Sequence, residues 1–297
     1  MKLQNFIKEI VIISIVLISQ GSVGQVPYER ILNASDEPQN WLTYNGGYMS
    51  QRYSLLDQIN RENVNQLELK WVLQNQVFGA WQSNPIIVDG VMYVTERPNS
   101  VMAVDAVTGR VYWKYRHQNA DNALVCCGAN NRGVAVLNDK VYMGTLDAHL
   151  VALDRVNGQL LWEAEVGDVN LAYSVTMAPL AVKDKILVGV GGGEFGIRGY
   201  VAAFNAETGE QAWKTYTIPG PGEANHDSWE GDDWEHGGAP VWITGSFDSD
   251  LNLTYWGVGN PGPDWNAGQR PGDNLYSDSA IALDADTGEL KWYFQFT

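Results

Sequence analysis

Cysteine is nearly absent from this chain: two in 297 residues, and the two are neighbours, Cys126 and Cys127. That excludes a disulfide-dense scaffold and any multi-cysteine zinc module. Basic side chains are scarce as well. Lys and Arg number 19 against 35 Asp and Glu, a net charge of −16. Such a balance disfavours nucleic acid or an anionic membrane surface as a partner. The four histidines, His117, His149, His226 and His236, show no zinc-type spacing. No apolar run is long enough for a comfortable membrane span. The main one, Ile10 to Ile18, follows Lys2 and Lys8 and precedes small and polar residues as far as Gln25. Residues 1–25 therefore read as a secretory signal peptide, with an uncleaved anchor as the alternative, and place the protein in the periplasm. No cysteine sits near the cut, so a lipoprotein is not expected.

Glycine and tryptophan are plentiful, 31 and 12 residues. Four units repeat one pattern: Asp105 with Gly109 and Trp113, Asp154 with Gly158 and Trp162, Asn205 with Gly209 and Trp213, Asp284 with Gly288 and Trp292. Each reads as an Asp/Asn-x-x-x-Gly turn followed by a strand ending in Trp, which packs one blade on its neighbour. The tryptophans are 49, 51 and 79 residues apart, and the first two intervals match one four-stranded blade. Between them lie apolar runs joined by Asp89-Gly90, Asn138-Asp139 and Lys183-Asp184, the pattern of tight hairpins. The expected fold is an all-β propeller over residues 67–297, with Leu67–Trp71 as its opening strand. Residues 26–66 form a wrapping segment anchored by Trp41, Tyr44 and Tyr53. About four blades are present. Blades this wide suit a larger ring, so the chain is expected to reach about halfway round. The longest loops, 220–234 and 259–273, belong on one rim, where sites are built.

The adjacent cysteines leave several readings open. A disulfide between neighbours closes an eight-membered ring with its Cα atoms about 3.8 Å apart, a peptide-bond spacing. So small a loop contributes little stability, and a rigid flat platform is the better reason for it. Two reduced core thiols, a redox pair and a soft-metal site are the alternatives.

Several segments resemble the quinoprotein alcohol dehydrogenases, the methanol and ethanol dehydrogenase type that uses pyrroloquinoline quinone. They are Cys126 to Gly133, Thr145 to Asp154, Gly192 to Gly199, Gly257 to Pro261 and Arg270 to Asn274. The resemblance spans roughly residues 40–297. It implies an eight-bladed propeller with quinone and metal on its axis, of which this chain is the N-terminal half.

By that resemblance Cys126 and Cys127 pair as a platform on one face of the quinone, and Trp242 covers the other. Glu194 and Asn260 match ligands of Ca²⁺, with a lanthanide equally open; carboxylate and amide oxygens suit such hard cations. Arg132 matches the arginine beside the reactive carbonyls, where a fixed cation would stabilise charge on reduction. Thr176 matches a cofactor-bonding threonine, with Gly192 and Gly193 as backbone donors beside it. Gln82 stands where the family usually has a glutamate, so it can bond the quinone but brings no charge. The family's catalytic aspartate falls just after the strand of Trp292, beyond Thr297. There it would take the hydroxyl proton of a primary alcohol as hydride leaves for the quinone. A c-type cytochrome is the implied electron acceptor, and an oligomer is left open.

Two other readings compete with this one. Gly191 to Gly196 formally fits a dinucleotide-binding glycine pattern, but a strand follows it where a helix is required. A non-catalytic scaffold propeller would share the Trp units, yet has no use for Cys126, Cys127, Glu194 and Asn260 around one axis. The stretch from Glu223 to Glu235 holds six acids in thirteen residues. It reads as a solvated rim loop or as a docking patch for a cytochrome.

Overall fold

The computed structural model describes residues 24–79 and 81–297. Apart from Gly24 and Gln25, the expected signal peptide lies outside the described residues. Four antiparallel four-stranded sheets follow one another in sequence order. Blade 1 holds β1 (Ile86–Val88), β2 (Val91–Glu96), β3 (Ser100–Asp105) and β4 (Val111–Arg116). Blade 2 holds β5 (Val134–Leu137), β6 (Lys140–Gly144), β7 (His149–Asp154) and β8 (Leu160–Glu165). Blade 3 holds β9 (Leu180–Val182), β10 (Lys185–Gly189), β11 (Tyr200–Asn205) and β12 (Gln211–Tyr216). Blade 4 holds β13 (Ser246–Asp248), β14 (Leu253–Gly257), β15 (Ser279–Asp284) and β16 (Leu290–Gln295).

The hairpins form where the sequence asks for them. Asp89 and Gly90, at φ +52° and +77°, close a two-residue turn between Val88 and Val91. Asn138 and Lys183 take the same left-handed backbone at the matching turns of blades 2 and 3. Two-residue turns of this hand follow the natural twist of paired strands. Burial then explains the apolar runs. All nine residues of β5 and β6 are buried, because their sheet is covered on both faces by neighbouring blades. The outer strand β8 is mostly exposed.

The Trp units carry the blade-to-blade contact. Asp105 Oδ1 accepts the amides of Val107 and Thr108, and Asp154, Asn205 and Asp284 repeat that turn. Trp113 then lies over Gly158 of the next blade, Trp162 over Gly209 and Trp213 over Gly288. These glycines have φ between +73° and +75°, and a Cβ on any of them would fall within 2.8 Å of the indole. Each Trp sits mid-strand rather than at a strand end, opposite an alanine (Ala103, Ala152, Ala203, Ala282) and directly after a bulge. The strands run on for three residues because the ladder continues past the bulge.

Two expectations about the N-terminal part fail. Leu67–Trp71 forms no strand, since no other strand pairs with it among the described residues. Leu67 and Leu69 are 62% and 81% exposed. Trp71 still docks like the others, over Gly109 and with its indole N–H 3.2 Å from the Ala106 carbonyl. Tyr53, expected as an anchor, is 73% exposed. The true anchors come earlier. Val26 bridges to Asn138 and Trp41 to Ile87. Tyr48 donates to the Ala181 carbonyl (2.8 Å) and accepts from the Phe247 amide (3.0 Å). Residues 26–48 thus touch the innermost strands, or their turns, in all four blades.

Candidate functional site

Meander topology puts two kinds of loop on one rim: the link from second to third strand, and the link from each fourth strand to the next blade. The first kind brings Gly192 and Glu194 (between β10 and β11) and Asn260 (between β14 and β15). The second brings Cys126, Cys127 and Arg132 after β4, Thr176 after β8 and Trp242 after β12, while Gln82 precedes β1. All nine of these residues line a single cavity of about 560 Å³. Tyr44, Val125, Asn130, Ser174, Pro240 and Ile243 complete much of its wall. Gly193 does not reach the wall. It packs behind it against Pro240, where a Cβ would come within 2.8 Å of the proline ring.

Cys126 and Cys127 are bonded to each other, with Cα atoms 3.8 Å apart. Cys127 has φ +66° and Gly128 +94°, so the chain turns sharply under the pair. The Asn130 side chain donates to the Cys127 carbonyl at 3.0 Å and braces this turn. Both sulfurs lie within 4.8 Å of a Glu194 carboxylate oxygen. Glu194 rides on a 3₁₀ turn, Gly193–Phe195, that Gly192 opens at φ +112°. A side chain at Gly192 would strike the Ala172 carbonyl at 2.3 Å, so only glycine lets this turn approach.

Asn260 donates its side-chain NH₂ to Asp264 (2.8 Å) and to the Pro261 carbonyl (3.3 Å). Its amide oxygen is thereby left as the free end, the right donor for a hard cation. Ser174 and Thr176 present hydroxyls on either side of Gly191: a Cβ there would be 3.0 Å from one and 3.8 Å from the other.

Arg132 is the cationic group of the lining. Its guanidinium stacks on the Trp242 ring at 5.0 Å and donates to the Thr176 carbonyl at 3.2 Å. No carboxylate pairs with it among the described residues. Burial pushes its pKa down, the direction expected of a cation losing water without gaining an anion. The cavity therefore holds an unpaired guanidinium, two free hydroxyls, a flat disulfide, an indole, and a carboxylate with an amide oxygen. That set suits a planar polyanion and a hard cation together: a disulfide and an indole as flat contact surfaces, cationic and hydroxyl donors for oxygen atoms, and two oxygen ligands.

Tyr44 and Ser174 escaped the sequence reading as site residues. Ser174 had a signal, because it lies two positions before Thr176 and so faces the same way in extended chain. Tyr44 had none, since the wrapping segment carries it to this rim from far away in sequence.

Comparison with known proteins gives one consistent answer. The profile of the family described as "PQQ: Glucose/ethanol/alcohol dehydrogenase, beta-propeller domain" matches residues 41–297. The chain is 41% identical to the quinoprotein alcohol dehydrogenase PedH of Pseudomonas putida, over 96% of this chain and 51% of that protein. Among solved structures, a quinohemoprotein alcohol dehydrogenase from Pseudomonas putida HK5 superposes with a TM-score of 0.87 at 42% identity. That match covers 92% of this chain and 42% of the other. A europium-containing methanol dehydrogenase gives a TM-score of 0.85 at 37% identity, covering 91% of this chain and 51% of that one. The chain spans about half the length of the relatives it matches.

Proposed function

This chain belongs to the glucose/ethanol/alcohol dehydrogenase β-propeller family, and we propose that its cavity binds pyrroloquinoline quinone beside Ca²⁺ or a lanthanide. The parent protein then oxidises a primary alcohol to an aldehyde in the periplasm and passes electrons to a cytochrome. One observation carries this reading: nine residues from six loops, scattered between positions 82 and 260, line one cavity around a carboxylate, an amide oxygen and an unpaired guanidinium.

When bound, the quinone would take up the two electrons of alcohol oxidation while the cation polarises one of its carbonyls. The protein's own residues supply the rest. The Cys126–Cys127 platform and Trp242 fix a flat ring from its two faces. Ser174, Thr176 and Gln82 offer hydrogen bonds at its edge, and Glu194 and Asn260 hold the cation. Arg132 supplies a fixed positive charge, with no reorganisation needed as negative charge builds on oxygen. Glu194 is the only carboxylate among the described lining residues and is committed to the cation. The proton of the alcohol is therefore assigned to the aspartate that the family resemblance places after Trp292.

Reconstitution tests the reading. The purified chain, mixed with pyrroloquinoline quinone and Ca²⁺ or La³⁺, is predicted to retain the quinone chromophore through gel filtration. Glu194→Gln should lose it. Retention that is absent with either cation, or unchanged in Glu194→Gln, contradicts the assignment. Alcohol-dependent dye reduction is to be read on the full-length parent.

A further inference from the structure

Away from the cavity, the end of blade 1 meets blade 2 in a second cluster of titratable groups. His117 follows β4, His149 opens β7, and Glu163 lies on β8. His149 pairs with Glu165, and Val151 with Glu163. His149 and Glu163 are therefore diagonal neighbours on one face of the sheet. One ring nitrogen of His117, one of His149 and one Glu163 carboxylate oxygen lie within 4.8 Å of one another. None of the three lines the cavity above.

Behind them sits Asp147, 3% exposed. Its two oxygens take His117 Nε2 at 3.0 and 3.1 Å, the Thr145 hydroxyl at 2.6 Å and the Ala120 amide at 2.9 Å. A buried carboxylate behind a histidine fixes its ring and tautomer, the arrangement that backs metal-bound histidines. His149 lies between two carboxylates: its Nδ1, shut off from solvent and 3.7 Å from Asp147, has no hydrogen-bond partner among the described residues, and its Nε2 is 3.9 Å from Glu163. Glu163 lies at the solvent side with its side chain 35% exposed.

We propose that His117, His149 and Glu163 form a site for a divalent transition metal of the Zn²⁺ or Cu²⁺ type, clamping the end of blade 1 to blade 2. Two imidazoles and one carboxylate are the donor set that zinc and copper favour over Ca²⁺. The −16 net charge of the chain favours cation capture in general. The two histidines are 32 positions apart, so no local spacing announces them. They meet because one directly follows an outer strand and the other opens a third strand on the same rim.

Calorimetry of the chelator-treated chain with ZnCl₂ alone tests the proposal, without quinone. One Zn²⁺ per chain is expected, with a rise in melting temperature. Affinity should fall at least ~10-fold in His149→Gln and in Glu163→Gln. It should be unchanged in Glu194→Gln, which separates this site from the cavity, and in His226→Gln/His236→Gln. His117 is left alone because it braces a loop. Circular dichroism checks that each variant folds. The proposal is overturned by a wild-type dissociation constant weaker than roughly 100 μM, by equal affinity in His149→Gln or Glu163→Gln, or by loss only in the His226/His236 pair.

Discussion

Trp113 donates its indole N–H to the backbone carbonyl of Arg155, 3.1 Å away in the next blade. Trp71 to Ala106, Trp162 to Ala206 and Trp213 to Ala285 repeat the bond at 3.2 Å. Each indole thus fills a glycine-floored slot and satisfies its one donor there. Replacing Trp113 or Trp213, both about nine-tenths buried, by Ala should cost about 3–5 kcal/mol, the usual range for emptying a large aromatic site. Trp113→Phe keeps most of the apolar area and should cost far less. Trp292, 44% exposed, should tolerate Ala in this chain. Urea unfolding of the set checks the ranking, and equal losses at Trp113 and Trp292 would contradict it.

Gly192→Ala should damage the site more than the fold. Its Cβ would meet the Ala172 carbonyl at 2.3 Å, at a φ of +112° that side chains rarely adopt. The turn carrying Glu194 must shift, while the strands beside it keep their ladders. The expected result is cation-dependent quinone binding weakened at least ~10-fold, with a stability loss of about 1–3 kcal/mol. Wild-type binding in this variant would show that Glu194 does not depend on the turn.

Acid should loosen the N-terminal segment first. Arg30 bonds Glu37 at 2.6 Å and Asp89, in the β1–β2 turn, at 2.5 Å. Hydrogen bonds from its guanidinium hold both carboxyls below their usual values of 4.5 and 3.8. Groups with lowered folded pKa values stabilise fully above the unfolded values and lose that contribution as pH falls through the folded ones. The clamp should thus be intact above about pH 5 and fail as pH drops below 4. Limited proteolysis by an acid-active protease should cut within residues 26–48 sooner as pH falls. Glu37→Gln should show early cutting already at pH 5. Cleavage that does not change with pH in the wild type would refute the clamp.

Reducing the Cys126–Cys127 bond should hardly affect stability. Its loop is too small to constrain the unfolded chain, and the segment lies on the rim rather than in the core. Cys126→Ser/Cys127→Ser is expected to unfold within about 1 kcal/mol of wild type yet bind quinone at least ~10-fold more weakly. A large stability loss with unchanged binding would make the bond structural instead.

The fold was legible where local chemistry decides it. Asp105 and Gly109 form the turn that their spacing predicts, and Asp89-Gly90 closes the expected hairpin. Leu67–Trp71 departs from the expected opening strand because a strand needs a partner to form, and none pairs with it among the described residues. For the cavity, Cys126, Glu194 and Asn260 carried motif signals, while Tyr44 arrives through a long wrap that no local pattern encodes. The His117–Asp147–His149 group was equally hidden, since contacts across blades follow from ring geometry rather than spacing. Gly193 lay one residue from the wall, a distinction that motif matching does not make.

A crystal of this chain grown with pyrroloquinoline quinone and soaked in a lanthanide, read by anomalous scattering, tests the assignment of the cavity most directly. One strong peak is expected in the cavity, about 2.3–2.6 Å from the Glu194 carboxylate and the Asn260 amide oxygen, with the quinone stacked against Cys126–Cys127. A dominant peak in the acidic loop of residues 223–235, with no density between the disulfide and Trp242, would contradict it.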